Sequence, residues 1–551
     1  MAIVRPMNAG PPSRYAAAHP DAGSPRVAEG WTWARLTSPS RLFGANGLRT
    51  GPDGRVYIAQ VTGSQISALD IDTGLLDIVS AKGGDIIAPD DVAFGSDGAI
   101  FATEVMDGRV SVLEKGCARV LRDDVPSANG ITVHQGRLFI GECRDGGRLM
   151  EFDLAGGPPR VLLENVPSPN AMEFGPDGLL YFPVMGANEI WRIDPFADGP
   201  LEPERVAGDL GVPDAVKFDA DGQIVSTQVH SGQVLRIDPR TGAQTVLAQL
   251  TPGLDNLTFV DGRLLVSNFT GEITEILDGG ESRPVLPGGL NWPMDLVAGA
   301  DGEVYVADGT YLYVVRPDGP LETVGMLFSP GYPGFIRGLS LAGPGEFVVT
   351  TSGGQVARYW PARNESEFLA DGFDQLYGIA LAPGGVPVVA EFGTGRLVAI
   401  HPQGPETLAS GLDCPVGVAI APDGAPLVAE SGAGRVLKIV GNQAYSVIDG
   451  LQRPQGLLVV DHQLYIVDAG AKSVVAVDLN TGAHRTIATD LPVGPPPGVI
   501  PKPLLGMPPF SGPQGPFAGI TAGPDGTLFV AADGEGAVIA LRPAVAAQES
   551  R

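Results

Sequence analysis

One unit of about forty residues is written twelve times along this 551-residue chain, and a repeat of that length limits the fold before any single residue does. The stretches NGLRTGPDGRVYIAQ from Asn46, NAMEFGPDGLLYFP from Asn170, DAVKFDADGQIVSTQ from Asp214 and AGITAGPDGTLFVAA from Ala518 are four of its copies. The unit heads fall at 46, 91, 129, 170, 214, 256, 295, 337, 377, 416, 455 and 518, and ten of the eleven spacings lie between 38 and 45. Each copy reads as an alternating run, a DG turn, an apolar strand, a break and two further strands. Period two places one face inward, and glycine tolerates the positive φ of a tight hairpin. With 77 glycines and 50 prolines a mostly helical chain is excluded. Forty residues is the length of a four-stranded antiparallel blade, so the fold class is all-β. Twelve blades in one ring would leave a channel too wide for side chains to fill, and propellers ordinarily run four to eight blades. Two consecutive six-bladed β-propellers are therefore expected, split near Gly288.

The expected boundaries are an N-terminal arm and closing strand over 1–43, a first propeller over 44–287, a second over 288–543 and a short tail over 544–551. The last unit offers three strands and no convincing fourth. WTWARLTS at 31–38 belongs to no blade and is expected to close the last one, leaving residues 1 to about 28 as a flexible or surface-draped arm. The exceptional spacing of 63 holds a proline-rich insertion, 491–516, that cannot form a regular strand; it is either a surface loop or a lid.

A net charge of −27 with no basic patch argues against nucleic acid and anionic membrane surfaces as partners. No run of 18 apolar residues occurs, and Cys117, Cys143 and Cys414 show no zinc-type or disulfide spacing, which fits a cytoplasmic protein. A small molecule is the expected partner, and the oligomeric state is left open.

Loops from the last strand of one blade to the first of the next open on the face of the central channel. In the first half those heads are Asn46, Asp91, Asn129, Asn170, Asp214 and Asn256, six oxygen donors suited to a hard divalent ion, Ca²⁺ ahead of Mg²⁺ or Zn²⁺. Asn and Asp also cap turns through their own backbone, but the second half places Asp295, Arg337, Tyr377, Val416, Gln455 and Ala518 at its heads, so the turn does not demand them. Beyond the second strand of the first-half blades lie Glu104, Glu142 and His230, candidates for a general base. Cys143 reads as a packing residue. In the second half Trp292, Asp295, Tyr377, Glu391 and Glu430 gather with Arg337, either as a pocket for an organic anion or as a filled channel in which Arg337 neutralises Glu391 and Glu430.

The stretches NGITV from Asn129, NAMEFGPDGLLYF from Asn170 and PDAVKFDADGQIVS around Asp214 resemble the gluconolactonase, senescence-marker protein and luciferin-regenerating enzyme family. That resemblance covers about 240 residues. It implies a six-bladed propeller with a catalytic divalent ion on its axis and Asn129, Asn170 and Asp214 as ligands. The family's first-blade Glu is absent, since Asn46 stands there. GPDG followed by an apolar strand, and FATE at Phe101 to Glu104, also resemble streptogramin B lyase and the NHL-repeat propellers, although the lyase's His pattern is not matched. The function expected is a metal-dependent hydrolase of the lactonase or esterase type. The alternatives are a lyase or carbon–carbon bond hydrolase using the second propeller, or a binding scaffold.

Overall fold

Twelve antiparallel sheets follow one another along the chain, the first ten running in sequence order from first strand to fourth and the last two each taking in a strand from the N-terminal segment. The computed structural model describes residues 13–19, 23–317, 319–441 and 443–544. The first blade is typical: Leu48–Thr50, Val56–Gln60, Gln65–Leu69 and Leu76–Ser80. Its GPDG turn works as the repeat suggests, with Gly54 at φ 78° and Asp53 Oδ1 accepting from the Arg55 amide at 3.2 Å. The innermost strands of the first six blades begin at Leu48, Pro89, Ala128, Glu173, Pro213 and Leu254. Those of the second six begin at Asp295, Ile336, Leu376, Pro415, Pro454 and Ile520.

Two compact units result. One comprises Leu42–Asn291 with Val499–Pro508, the other the described residues of 1–41, 292–498 and 509–551. In the unit built on Leu42–Asn291 the first blade meets the sixth. The Thr50 amide donates to Thr258 Oγ1 at 3.1 Å, Thr50 Oγ1 donates to the Phe259 carbonyl at 2.8 Å, and Leu48, Val56 and Ile58 share a core with Leu265, Ile273 and Leu286. In the other unit the seventh blade meets the twelfth, through the Gly519 amide on the Met294 carbonyl (2.7 Å) and the Ala298 amide on Thr521 Oγ1 (3.3 Å). These are two six-bladed β-propellers.

The N-terminal strand Trp31–Arg35 pairs with Ala537–Pro543 and completes the twelfth blade, as expected from the chain ends. Covering that edge packs Trp31 and Trp33, both partly buried, against the core that holds Ile539 and Leu541. The arm, expected to be flexible or draped on the surface, is held against the protein where it is described. Arg26–Val27 adds a fifth strand to the eleventh blade, and the buried Arg14 donates to the carbonyls of Asp533 (2.7 Å) and Gly534 (3.2 Å). The rest of that arm and residues 545–551 lie outside the described residues.

Glycine follows the channel head in many repeats because neighbouring inner strands approach closely there. A Cβ on Gly130 would stand 2.3 Å from the Asn170 carbonyl oxygen, and one on Gly47 would stand 2.5 Å from that of Asp90. Gly130→Ala is expected to cost about 1–3 kcal/mol in denaturant unfolding, because backbone rather than a flexible side chain must move. Among the described residues no helix is long and apolar enough to cross a membrane.

Candidate functional site

The strand register decides which side chains face the channel. Pro89 opposes Glu104, Ala128 opposes Glu142, Pro213 opposes Gln228 and Leu254 opposes Asn268, with a bulge after each. The residues that follow, Asp90, Asn129, Asp214 and Asp255, are therefore equivalent. Asn170 joins them through the Pro169–Val184 bridge, and Asn46 through the Leu48–Ile58 pair, which matches Val92–Ala102. The ring is Asn46, Asp90, Asn129, Asn170, Asp214 and Asp255. Asp91 and Asn256, expected in it, sit one residue further along. Asp91 Oδ1 accepts from the Val92 amide at 2.8 Å and Asn256 Oδ1 from the Leu257 amide at 2.8 Å, so both clasp inner strands instead.

Ring neighbours touch. Asn170 Nδ2 donates to Asp214 Oδ2 at 3.1 Å and Asn46 Nδ2 to Asp255 Oδ2 at 3.0 Å. With their amide nitrogens turned aside, Asn129 and Asn170 leave Oδ1 atoms that are buried and have no hydrogen-bond partner among the described residues. Such atoms are rare in a folded protein and call for a partner, whether water, ligand or ion. Burial and the neighbouring Asp91 push the Asp90 carboxyl up to about 8. Asp214 is raised well above the usual carboxylate range by burial and by Asp90 and Asp91; Asp255 is raised by burial and by Asp214 and Asp90. The Asp214 carboxylate and the two orphaned carbonyl oxygens are hard donors of the kind that a divalent cation suits. Among the described residues no three acidic, imidazole or thiol groups stand together as a metal cluster. The amide oxygens of Asn129 and Asn170 are thus needed beside Asp214. Asp90 and Asp255 stand in the same ring, in which Asn46 occupies the first-blade position.

Two neighbours of the ring went unread. Met185 Sδ accepts from Asn170 Nδ2 at 3.0 Å and lies 3.8 Å from Cys143 Sγ. Burial, with Asp214, Asp90 and Asp255 around it, pushes the Cys143 thiol far up, so it is a packing residue and not a nucleophile. One layer along the channel, Arg49 Nη1 and Lys217 Nζ meet Glu173 Oε2 at 2.7 and 3.0 Å.

The candidate general bases fare differently from one another. Glu104 is fully buried, accepts from the Ile87 amide at 2.5 Å, and is paired with Arg109 and Ser111. Glu142 is likewise buried, between Arg144 (2.9 Å) and Arg148. Residues at this position recur as loop clasps. Glu391 accepts from the Asp374 amide and Glu430 from the Asp413 amide, each at 2.8 Å, and they pair with Arg396 and Arg435. Glu104 and Glu142 are therefore held by arginines and backbone amides, as are Glu391 and Glu430, expected either to line a pocket or to be neutralised by Arg337. His230 is exposed, with its amide on the Gly211 carbonyl at 3.0 Å.

The second unit's ring is Met294, Arg337, Tyr377, Val416, Gln455 and Ala518. Asp295 lies one residue past it, its Oδ1 and Oδ2 accepting from the Leu296 (3.0 Å) and Leu339 (2.9 Å) amides. Arg337 is fully buried and neutralises neither Glu391 nor Glu430. It stacks 4.3 Å from the Tyr377 ring centroid and donates to the carbonyls of Leu376 (3.1 Å) and Pro513. The end of the proline-rich insertion is thus tied down over this ring. Gly512 and Gln514 donate to Ser352 Oγ at 3.1 and 3.2 Å. Trp292 is buried, its amide on Asp308 Oδ1 at 2.6 Å.

Fold and donor set define a class: β-propellers whose axial channel presents a ring of carboxylate and carboxamide oxygens. Residues 34–260 match the model of the SMP-30/gluconolactonase/LRE-like region, the family that the sequence resembles. Among solved structures the chain is similar to streptogramin B lyase, at 20% identity and TM-score 0.38, over 50% of this chain and 94% of the lyase. It is similar to a gluconolactonase from Xanthomonas campestris at 16% identity and TM-score 0.36, over 45% and 93%. It is similar to the calcium-binding protein regucalcin from Agrobacterium tumefaciens at 20% identity and TM-score 0.34, over 43% and 85%. No curated protein matches the chain.

Proposed function

We propose that the unit built on Leu42–Asn291 is a metal-dependent hydrolase of the lactonase or esterase type, acting on a small organic substrate at its channel mouth. The observation that carries this reading is the pair of orphaned oxygens, Asn129 Oδ1 and Asn170 Oδ1, beside the Asp214 carboxylate. The match of 34–260 to a family that includes gluconolactonases supports it. Asn129, Asn170 and Asp214 would hold the ion, with Ca²⁺ the best fit to an all-oxygen set, and Asp90 and Asp255 would balance its charge. A bound divalent ion supplies Lewis-acid polarisation of an ester or lactone carbonyl. The chain itself orients the donors: Asp214 fixes the Asn170 amide so that its oxygen faces the channel. Arg49, Glu173 and Lys217 pair one layer further along the channel, which leaves the ring side as the proposed entry for substrate.

With Glu104 and Glu142 engaged by arginines, His230 is the remaining candidate for moving a proton at the mouth. His230→Ala is expected to lower turnover roughly 10²-fold, measured as kcat on the best substrate of a lactone and ester panel. Chelation should abolish hydrolysis of that substrate and Ca²⁺ should restore it; hydrolysis that survives complete chelation would refute metal dependence. A cytoplasmic location belongs to the same proposal and is supported by three unpaired cysteines.

A further inference from the structure

Asp91 and Asp295 occupy the same position in their two units and make the same clasp. Each accepts its own following amide (Val92, Leu296) and the corresponding amide of the next blade, Ile131 at 3.4 Å and Leu339 at 2.9 Å. Their electrostatic surroundings differ. Asp91 feels the cations Arg49 and Lys217 in the adjoining channel layer, which draw its carboxyl back down against burial. Among the described residues no lysine or arginine pairs with Asp295. The layer equivalent to Arg49, Ala93, Thr132, Glu173, Lys217 and Thr258 is here Val297, Ser340, Ala380, Ala419, Leu458 and Thr521, where no side chain is charged. Where the first layer is filled by an ion triad, this one opens into a cavity of about 310 Å³ with Asp295 in its wall. That volume is at the small end of sites that take small molecules. Ser340 Oγ is committed to the Ile379 carbonyl (3.1 Å) and Thr521 Oγ1 accepts the Ala298 amide, so Asp295 is the side chain left to offer a charge.

We infer that the channel of the second unit binds a short alkylammonium ligand, its cationic head on Asp295 and its chain among Val297, Leu341, Leu381, Ile420 and Leu458. The head takes the place that Arg49 and Lys217 hold beside Asp91. A buried carboxylate is costly without a partner, and a primary ammonium offers both the opposite charge and donors for the lone pairs that the two amides leave free. The aliphatic wall selects the chain by burial. This site is independent of the hydrolase reading, since it lies in the other unit and uses none of its residues.

The test is calorimetric titration of the full-length protein with n-butylammonium, 1-butanol and butyrate at one pH and ionic strength. Wild type is expected to bind butylammonium at least tenfold more tightly than butanol, with no binding of butyrate. Asp295→Asn is expected to weaken butylammonium binding tenfold or more while leaving butanol unchanged. Thr521→Arg places a guanidinium relative to Asp295 as Arg49 stands to Asp91. It is expected to abolish binding and raise Tm. No preference for ammonium over alcohol in wild type would overturn the proposal without recourse to any variant, and so would unweakened binding in Thr521→Arg.

Discussion

Asp214→Ala is expected to abolish divalent-ion binding and, with it, roughly 10²-fold or more of the proposed hydrolytic rate, in the range seen when a metal centre loses a ligand or its support. Two effects combine. The carboxylate itself goes, and Asn170 Nδ2 loses the acceptor that holds its amide with the oxygen toward the channel. Removing the ion site should not unfold the propeller. Asp214 is buried beside other carboxylates, so replacing it relieves repulsion in the ion-free state. The expected result is therefore a variant with equal or higher Tm without metal and no Ca²⁺-dependent rise in Tm. A wild-type Ca²⁺ response would remove Asp214 from the site.

Glu173→Gln is expected to be the most destabilising single change in the first channel, by about 3–5 kcal/mol, because it leaves Arg49 and the buried Lys217 facing each other without the carboxylate between them. Lys217 and Arg49 hold the Glu173 carboxyl down at about 2 against its burial. A carboxyl whose folded value lies below its unfolded one contributes stability that is complete above the unfolded value and lost as the pH falls through the folded one. The wild-type protein should lose this contribution between about pH 4.5 and pH 2, and the Gln variant should show no such loss. Denaturant unfolding across that range measures the difference. Equal pH profiles would show that the triad does not support the fold.

The blade pattern was legible because period two, DG turns and a forty-residue repeat all point to one architecture. The ring was legible to within one residue. The second and sixth heads are bulges, where one strand carries an extra residue against its partner, and both DD at 90–91 and DN at 255–256 offer two donor-type residues in a row. Counting back from the end of the second strand would have separated them. Blades with a four-residue GPDG-type turn place the head 14 residues before that end, as in Asn170 to Val184 and Asp214 to Gln228, and Asp90, not Asp91, keeps that distance from Glu104. By the same count Met294, not Asp295, is the ring residue before Asp308. The clasping role of Glu104, Glu142, Glu391 and Glu430 was hidden for a different reason. Their arginine partners sit at the start of the next strand, and a carboxylate at a strand end reads the same whether it faces water or a guanidinium. The Arg49–Glu173–Lys217 triad had no local signal either, because its members are 124 and 44 residues apart.

The central claim is an oxygen-lined cation site on Asn129, Asn170 and Asp214, and metal content tests it most directly. Mass spectrometry of the purified protein, before and after chelation and Ca²⁺ re-addition, should give close to one tightly held divalent ion per chain in wild type and none in Asp214→Ala. A wild-type protein that retains no divalent ion after Ca²⁺ re-addition, or a variant that holds it as tightly, would contradict the account.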